Sequence, residues 1–314
     1  MQRTIFFSVV TACKNGLPFF KEAFESILNQ TFLDWEWIIV DDSSSEPIGT
    51  FIETKKDPRV VFLRNSESQG QTKCLNLGIQ KSKSNWIVRM DADDLAYPQR
   101  LEIICNTIEK TGKNFSTLLF SDYDVMDENG VKFSSVQYKQ PLGSRFYNYL
   151  NVTNNPICHP TVAFPKYDPK KNIYQYNESL QNAQDYALWK RIYLDYLNLG
   201  FIHIPTPLIC YRIVRSSLSG VRILEQEMEL KKIQGIYKNT LDTVSLNPDE
   251  QEGMYAYRML YYSFIGNKVK FKNIFKTFLK TKKYLPVFLK SLLLTLGFPI
   301  KEILKTKLFC GIYK

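Results

Sequence analysis

Short apolar runs alternate with helical periodicities along the first hundred residues. The strand-like runs are residues 5–11, 35–40, 60–63 and 86–90. The helical segments are residues 18–30, a short helix starting near Pro47, residues 71–80, and a helix opening at Pro98. Ser43, Ser44 and Ser45 are expected to cap the short helix. This alternation predicts an α/β fold with a mostly parallel sheet and helices on both faces.

The second part of the chain has a less regular pattern. Its predicted elements are a strand at 118–126, a hairpin turn at 127–130, a partner strand at 131–138, an irregular site-forming region at 141–169, a helix at 183–196 and extended chain at 201–213. From Ile223 onward the pattern is helical and increasingly basic. We therefore predict one domain over 1–220, divided at about 105, followed by a helical basic region over 221–314.

The charge of the chain is concentrated at its C-terminal end. The 314 residues carry a formal net charge of +10, and residues 266–314 hold twelve lysines against Glu302 alone. The other 265 residues are therefore nearly neutral. Because the folded domain itself is not basic, the charge does not indicate a nucleic-acid partner.

The six cysteines are scattered, form no CxxC pair and lie mostly inside apolar segments. This usage is typical of buried thiols in a reducing compartment, so we expect a cytoplasmic protein without a disulfide framework. The residues Val10 to Cys13 look like a lipoprotein cleavage box. Export is not expected, because the preceding apolar run is short and Lys14 follows at once.

Two acidic clusters follow predicted strands. Asp41 and Asp42 come after the second strand, and Asp91, Asp93 and Asp94 come after the fourth. Ligands bind at the carboxyl edge of such sheets. If strand geometry persists, Asp91 and Asp93 leave on one side, roughly 6–7 Å apart along the backbone. Such hard oxygen ligands suit Mg²⁺ or Mn²⁺ carrying a diphosphate. Alternatively, these acids cap the helix that opens near Pro98.

The chain resembles the family 2 glycosyltransferases of GT-A fold, from about residue 7 to about residue 219. The matching segments are FSVVT at 7–11, SILNQTF at 26–32, WIIVDDSS at 37–44 and GQTKCLNLGI at 70–79. Each segment alone is weak, but their order and spacing together are specific. The resemblance implies a nucleotide-binding half up to about residue 105 and an acceptor half from 106 to 220.

The resemblance implies a set of donor-binding residues. Asp42 would contact the nucleotide base with Asp41 beside it, Asp91 would lie near the ribose, and Asp93 would bind the metal, Mn²⁺ or Mg²⁺, on the donor diphosphate. The complete predicted nucleotide-sugar set is Thr11, Asp41, Asp42, Lys73, Asp91, Ala92 and Asp93. For Lys73, a solvated position on its helix is the alternative.

On the acceptor side, the resemblance implies that Asp185 is the general base of an inverting transfer. From the sequence pattern without the resemblance, the simpler interpretation is that Asp185 is an acid near a helix start that stabilises the helix dipole. We also expect His159, Gln184 and Trp189 in the donor-sugar or acceptor pocket. Core packing is the alternative for Trp189, and His203 is expected to be structural.

The chain departs from the family pattern in three places. Gln184 stands where many members have Glu, and Val214 stands where a closing motif often has His. Arg212 or Arg215 is a candidate to replace that histidine electrostatically. Near the first strand, Ala12 and Lys14 replace the common Pro and Tyr.

The basic tail contains an apolar run at residues 285–300 that Gly297 and Pro299 interrupt. A bilayer-spanning helix needs about 20 apolar residues, so we expect a helical region lying on an anionic membrane surface, with lysines reaching lipid phosphates. A helical layer packed on the domain is the alternative. Surface binding would give peripheral attachment to the cytoplasmic face of the membrane.

The predicted function is transfer of a hexose or N-acetylhexosamine from a nucleotide-diphosphate sugar, with UDP the expected carrier, to a hydroxyl of a glycan or lipid-linked acceptor in surface polysaccharide synthesis. A sugar-phosphate nucleotidyltransferase is disfavoured because residues 11–16 lack a Gly-rich phosphate loop. The remaining alternatives are a noncatalytic relative that binds nucleotide or glycan at the membrane, and a Mg²⁺-dependent module resembling a phospho-receiver.

Overall fold

The apolar runs of the first hundred residues form parallel strands separated by helices. The computed structural model describes residues 5–111, 117–138, 157–180, 182–196 and 201–214, all within one compact unit. The strands are β1 (Phe7–Cys13), β2 (Trp35–Asp41), β3 (Val60–Arg64), β4 (Trp86–Arg89), β5 (Leu95–Ala96), β6 (Leu119–Met126), β7 (Lys132–Val136), β8 (Ala163–Pro165) and β9 (Ile202–Arg212). The helices are α1 (Leu17–Leu28), α2 (Ile48–Lys55), α3 (Gln71–Lys81), α4 (Arg100–Thr111) and α5 (Gln184–Asp195).

One mixed sheet carries all the described strands, in the order β3-β2-β1-β4-β8-β6-β9-β5, with β7 added beside β6. The strands β3, β2, β1 and β4 are parallel neighbours, and β9 is parallel to β6. The pairings made by β5, β7 and β8 are antiparallel. The predicted α/β class is thus confirmed, with the parallel part concentrated in the first four strands, where helices provide the crossovers.

Aromatic residues of α1 hold the first strands in place. Phe20 and Phe24 recur at helical spacing on the buried face of α1, and both pack against the fully buried Trp37 of β2. The ring centroids of Phe24 and Trp37 are 5.2 Å apart. This contact fixes β2, and with it the position at which the acidic pair after β2 emerges.

Two local predictions were wrong. No side chain caps α2. The serines expected there bond elsewhere, Ser44 to Asp41 and Ser45 to Asn15. In addition, α4 begins at Arg100 and not at Pro98, and the unpredicted strand β5 lies between it and the acidic turn. Two residues are too few to show a strand periodicity, and β5 exists because it pairs with β9, far along the sequence.

Within the described ranges, no helix combines the length and apolar composition needed to cross a bilayer. The helical pattern after Ile223, the boundary at 220 and the basic tail lie outside the described residues. The prediction of surface membrane binding therefore stays a prediction.

We expect Gly78→Ala to destabilise the domain, because α3 lies directly against the sheet at this glycine. An added Cβ would lie 2.5 Å from Val10 Cγ1 and 3.7 Å from Val40 Cγ2. Alanine otherwise favours a helix interior by about 0.5–1 kcal/mol, but overpacking costs about 1–3 kcal/mol. Urea unfolding should show a net loss of about 1–2 kcal/mol. Gln80→Ala, at an exposed position of the same helix, is the control. Unchanged or increased stability of Gly78→Ala would contradict this packing.

Candidate active site

The acidic residues meet at the carboxyl edge of the parallel strands, as their positions in the sequence predict. The amide of Asp42, just after β2, donates to Cys13 O at 2.8 Å, and the amide of Met90, just after β4, donates to Val10 O at 3.2 Å. The ends of β2 and β4 are thus both tied to β1. Asp42 and the acidic turn Asp91–Asp94 consequently share one edge of the sheet.

The carboxylate of Asp42 organises the loop that leads into α3. It accepts hydrogen bonds from the backbone amides of Gln69 (2.7 Å) and Gly70 (3.0 Å) and from the side chains of Ser68 (2.7 Å) and Asn65 (3.0 Å). Burial acts to raise the pKa of Asp42, but these four donors outweigh it and hold the pKa well below its ordinary value. Gly70 supplies the positive φ of 88° at the start of α3.

Two other predicted donor-site residues lie beneath the surface. Asp41 is fully buried and binds the Arg64 guanidinium at 2.7 Å and both the amide and hydroxyl of Ser44. Thr11 is also fully buried and donates to Met90 O at 2.9 Å. These contacts fix the ends of β2 and β4, so in this structure both residues support the edge from below.

Lys73 is exposed on α3, and its Nζ lies 3.3 Å from Gln69 Oε1. This is the solvated position given as the alternative for this lysine. Ala92 is half-buried and packs against the hydrophobic core. Its methyl group anchors the middle of the acidic turn.

The acidic turn itself holds three carboxylates in different environments. Asp91 is half-buried and paired with Arg89. Burial and the charge of Asp91 raise the pKa of Asp93 to about 6. Asp94 is fully buried, and burial together with its two acidic neighbours raises its pKa well above the ordinary value. One Asp94 oxygen accepts the Arg212 amide at 2.8 Å, and the other has no hydrogen-bond partner among the described residues.

The donor set of this turn fits a hard divalent cation. Carboxylate oxygens are hard ligands, and a bound cation would favour the charged form of Asp93, whose pKa burial and the charge of Asp91 raise. Within the described ranges, no group of three His, Cys, Asp or Glu side chains forms a ready metal cage. A bound cation would therefore need further oxygens, and the phosphates of a ligand are the usual source for Mg²⁺.

Arg89 links the acidic turn to the predicted pocket residue His159. The arginine is fully buried in β4; it binds Asp91 and Met90 O, donates to Val10 O at 3.1 Å, and places its Nε 3.3 Å from His159 Nε2. Burial and Arg89 hold the pKa of His159 well below its ordinary value, so the imidazole is neutral at pH 7. The same nitrogen of His159 lies 2.8 Å from the Tyr176 hydroxyl.

Trp189 lies behind this cluster in the hydrophobic core. Its ring is fully buried and packs edge-on against His159, Phe164 and Tyr176. Core packing, the alternative stated for this residue, is what the structure shows. Its position lets it support His159 from behind, while the ring itself is not exposed to a pocket.

Asp185 lies in the first turn of α5, close to the start of α3. The side-chain Nε2 of the neighbouring Gln184 donates to Gln71 Oε1 at 3.4 Å, which joins the two helix starts. Burial raises the pKa of the Tyr176 hydroxyl, and the charges of Asp185 and Asp91 act in the same direction. Asp185 and the acidic turn thus act electrostatically on the same cluster.

Several supporting residues of the site escaped sequence reasoning. Asn65, Ser68 and Tyr176 are ordinary polar residues whose roles depend on contacts distant in the sequence, so no signal could identify them. Arg89 did carry a signal, since a charge inside the apolar run of β4 must find partners when buried. His203 is structural, as predicted, with its Nε2 2.7 Å from the buried Asp122 carboxylate.

The model of the glycosyl transferase family 2 matches residues 8–172, more than half of the chain. The chain therefore belongs to the family 2 glycosyltransferases, as its motifs predict. An uncharacterised glycosyltransferase of Haemophilus influenzae is 27% identical over 245 residues, covering 72% of this chain and 71% of the relative. Another, of Methanocaldococcus jannaschii, is 32% identical over 229 residues, covering 70% of this chain and 75% of the relative.

Solved structures of low sequence identity share the fold. S. aureus TarS 1–349 in complex with UDP-GlcNAc has a TM-score of 0.58 at 15% identity, over 89% of this chain and 93% of that chain. The mannosyltransferase PcManGT of Pyrobaculum calidifontis, in complex with GDP-Man and Mn²⁺, has a TM-score of 0.57 at 15% identity, over 99% of this chain and 83% of that chain. These likenesses confirm the predicted GT-A-type fold.

We expect Asp42→Asn to destabilise the domain by about 2 kcal/mol at pH 7, since an amide cannot replace a charged acceptor of four hydrogen bonds. The folded pKa of Asp42 is lowered, so its contribution is fully present above the unfolded pKa of about 4 and is lost as the pH falls further. The stability gap between wild type and Asp42→Asn should therefore narrow below pH ~4 in urea unfolding. Glu53→Gln, at an exposed position of α2, should show no such gap. A gap independent of pH would contradict this role of the charge.

Proposed function

We propose that this family 2 glycosyltransferase is an inverting, metal-dependent hexosyltransferase that uses a UDP-sugar. One observation carries the proposal: the loop held by Asp42, the acidic turn Asp91–Asp94 and the start of α5 with Asp185 lie around the carboxyl edge of the parallel strands. A donor and an acceptor must meet a base at one place for direct displacement, and this edge offers all the required groups.

On the donor side, Asp42 and the loop ahead of α3 are proposed to contact the nucleotide base. In this structure all four hydrogen bonds to Asp42 are internal, so base binding requires the loop to exchange some of them for the ligand. Asp91 is proposed to lie near the ribose, where Arg89 restrains its carboxylate. Thr11, Asp41 and Ala92 contribute from below by fixing the strand ends and the turn.

Asp93 is the proposed metal ligand, and Mn²⁺ or Mg²⁺ is the proposed cation. When bound, the cation would neutralise the charge that develops on the departing nucleoside diphosphate. The pKa of about 6 at Asp93 means that protons compete with a cation below that pH, so binding should weaken in acid.

Asp185 is the proposed general base, which removes the proton of the acceptor hydroxyl as the hydroxyl attacks the anomeric carbon from the side opposite the leaving group. The product would then have inverted configuration. His159 is neutral and bound to Tyr176, so it can act as a hydrogen-bonding wall of the pocket and does not compete as a charged acid. Gln184 is proposed to hold the start of α5 in place through Gln71.

The acceptor is proposed to be a hydroxyl of a glycan or lipid-linked glycan in surface polysaccharide synthesis, reached at the cytoplasmic face of a membrane. The basic tail supports this proposal by its composition alone. A noncatalytic relative that binds the nucleotide without turnover is the alternative, favoured by Gln184 and Val214. The receiver-like alternative has no further support, since the family model accounts for residues 8–172.

The donor site is tested by calorimetric titration of UDP, GDP and dTDP, each with Mn²⁺ and with EDTA. We expect one nucleotide, UDP, to bind tightly only with Mn²⁺, and Asp93→Asn to weaken that binding by more than about tenfold, because the metal loses its carboxylate. Asp168→Asn, a buried carboxylate bound to Asn172 and Arg191 away from the acidic turn, is the matched control. Binding that is indifferent to metal and to Asp93 would remove the basis of the proposal.

The base is tested by Asp185→Asn. We expect transfer from a UDP-sugar to fall by about 10²–10⁴-fold, the usual contribution of a general base, while UDP binding stays as in wild type. Asp195→Asn, on the same helix and bonded to Tyr174, controls for damage to α5. Equal activity of Asp185→Asn and wild type would exclude this base. Metal-dependent UDP binding in a wild type that never transfers sugar would favour the noncatalytic alternative.

A further inference from the structure

Arg212, the last residue of β9, lies beneath the acidic turn, and all three nitrogens of its guanidinium donate hydrogen bonds. Its Nε donates to the main-chain carbonyl of Asp93 at 2.8 Å. Its Nη1 donates to the carbonyl of Glu128 at 3.2 Å, and its Nη2 binds the Glu22 carboxylate at 2.6 Å. The backbone amide of the same residue donates to the Asp94 carboxylate at 2.8 Å. A single residue thus holds both acids that follow Ala92.

These contacts join segments that are far apart in the sequence. Glu22 lies on α1, and Phe19, one turn earlier, has its ring 4.9 Å below the guanidinium carbon. Glu128 lies in the hairpin turn between β6 and β7, where a Cβ added at Gly130 would come within 3.8 Å of Nη1. Arg212 is therefore the point at which α1, the acidic turn and the β6–β7 turn meet.

Arg212 is only 1% exposed, so its guanidinium is not accessible to a ligand and acts through its neighbours. The residue type matters, because only a planar guanidinium directs donors to three acceptors in fixed directions. A lysine would retain the positive charge but could not hold the Asp93 carbonyl, the Glu128 carbonyl and Glu22 together. The substitution Arg212→Lys therefore separates the effect of the guanidinium's geometry from the effect of its positive charge.

We propose that Arg212 is a positioning residue for the metal-binding acid. By fixing the Asp93 carbonyl and, through its own amide, the Asp94 carboxylate, it sets the direction in which the Asp93 side chain leaves the turn. Its cation also offsets part of the negative charge gathered there. The inference rests on the proposed function, since it assumes that Asp93 binds a cation carrying a nucleoside diphosphate. The inference adds Arg212, on β9, to the residues of the proposed metal site, and this residue acts through the backbone of the acidic turn.

The test compares Arg212→Lys and Glu22→Gln with wild type in titrations of UDP, GDP and dTDP, each with Mn²⁺ and with EDTA, alongside thermal unfolding. Glu22→Gln leaves the arginine in place and removes the charge of its exposed partner. The matched control is Arg59→Lys, which disrupts an arginine that pairs with Asp57 and stacks on Trp35 at 3.7 Å, ahead of β3. Each variant thus perturbs an arginine ion pair, and only two of them concern the acidic turn.

We expect Arg212→Lys to weaken the Mn²⁺-dependent nucleotide affinity by about 10- to 100-fold, the range seen when residues behind a metal ligand are changed. Affinity in EDTA should stay as in wild type, and Glu22→Gln should show a smaller loss of the same kind. Arg59→Lys should lower the melting temperature without changing the response to Mn²⁺. If Arg212→Lys fails to fold, Glu22→Gln alone tests the inference, and we expect its Mn²⁺-dependent nucleotide affinity to fall.

Two outcomes would overturn the inference while leaving the proposed function intact. In the first, Arg212→Lys and Glu22→Gln both fold stably, or only Glu22→Gln does, and Mn²⁺ raises their nucleotide affinity as much as it does in wild type. The other is an equal loss of affinity with Mn²⁺ and with EDTA, which would indicate general damage. A wild type whose nucleotide binding ignores Mn²⁺ would instead refute the proposed function, and the inference with it.

Discussion

The crowding of carboxylates at the end of β4 is the constraint on which the site depends. Asp91, Asp93 and Asp94 repel one another, and burial makes each charge more costly. The fold meets this cost from two sides, with Arg89 on β4 and Arg212 on β9. The turn is thus held in shape by a guanidinium on each side.

The adjacent acids Asp41 and Asp42 lie one residue apart and bind different parts of the chain. Asp41 is the last residue of β2, and its side chain enters the interior, where Arg64 and Ser44 bind it. Asp42 lies just beyond the strand and gathers the loop ahead of α3. Adjacent carboxylates at the end of one strand thus stabilise two different segments.

The two halves of the site are joined by helix starts and a small polar cluster. Gln71 and Gln184 bring the starts of α3 and α5 together. Arg89 contacts both Asp91 and His159, and His159 contacts Tyr176. Buried polar contacts therefore connect the acidic turn with Tyr176. Helix starts also carry partial positive charge, which suits the phosphates of the proposed donor.

Much of the fold could be predicted from local patterns. Strands β1 to β4 and helices α1, α3 and α5 follow from apolar runs and helical spacing, and the acidic residues fall at strand ends in the sequence itself. Other elements have no local cause. Strand β5 is only two residues long and forms because β9 pairs with it. The serines before α2 fit a helix cap, but Asp41 and Asn15 are stronger partners once the chain is folded.

The sequence by itself determined the family, the class of fold and the acids at the sheet edge, because motifs and periodicities are local and each strand end is visible in the chain. The tertiary structure decided which acids are fully buried, as Asp41 and Asp94 are, and which are partly exposed, as Asp91 and Asp93 are. It turned Trp189 and Thr11 into buried supports, and it set Arg212 beneath Asp93, 119 positions away. Such contacts depend on where distant strands are placed in the sheet, and no local pattern encodes that placement.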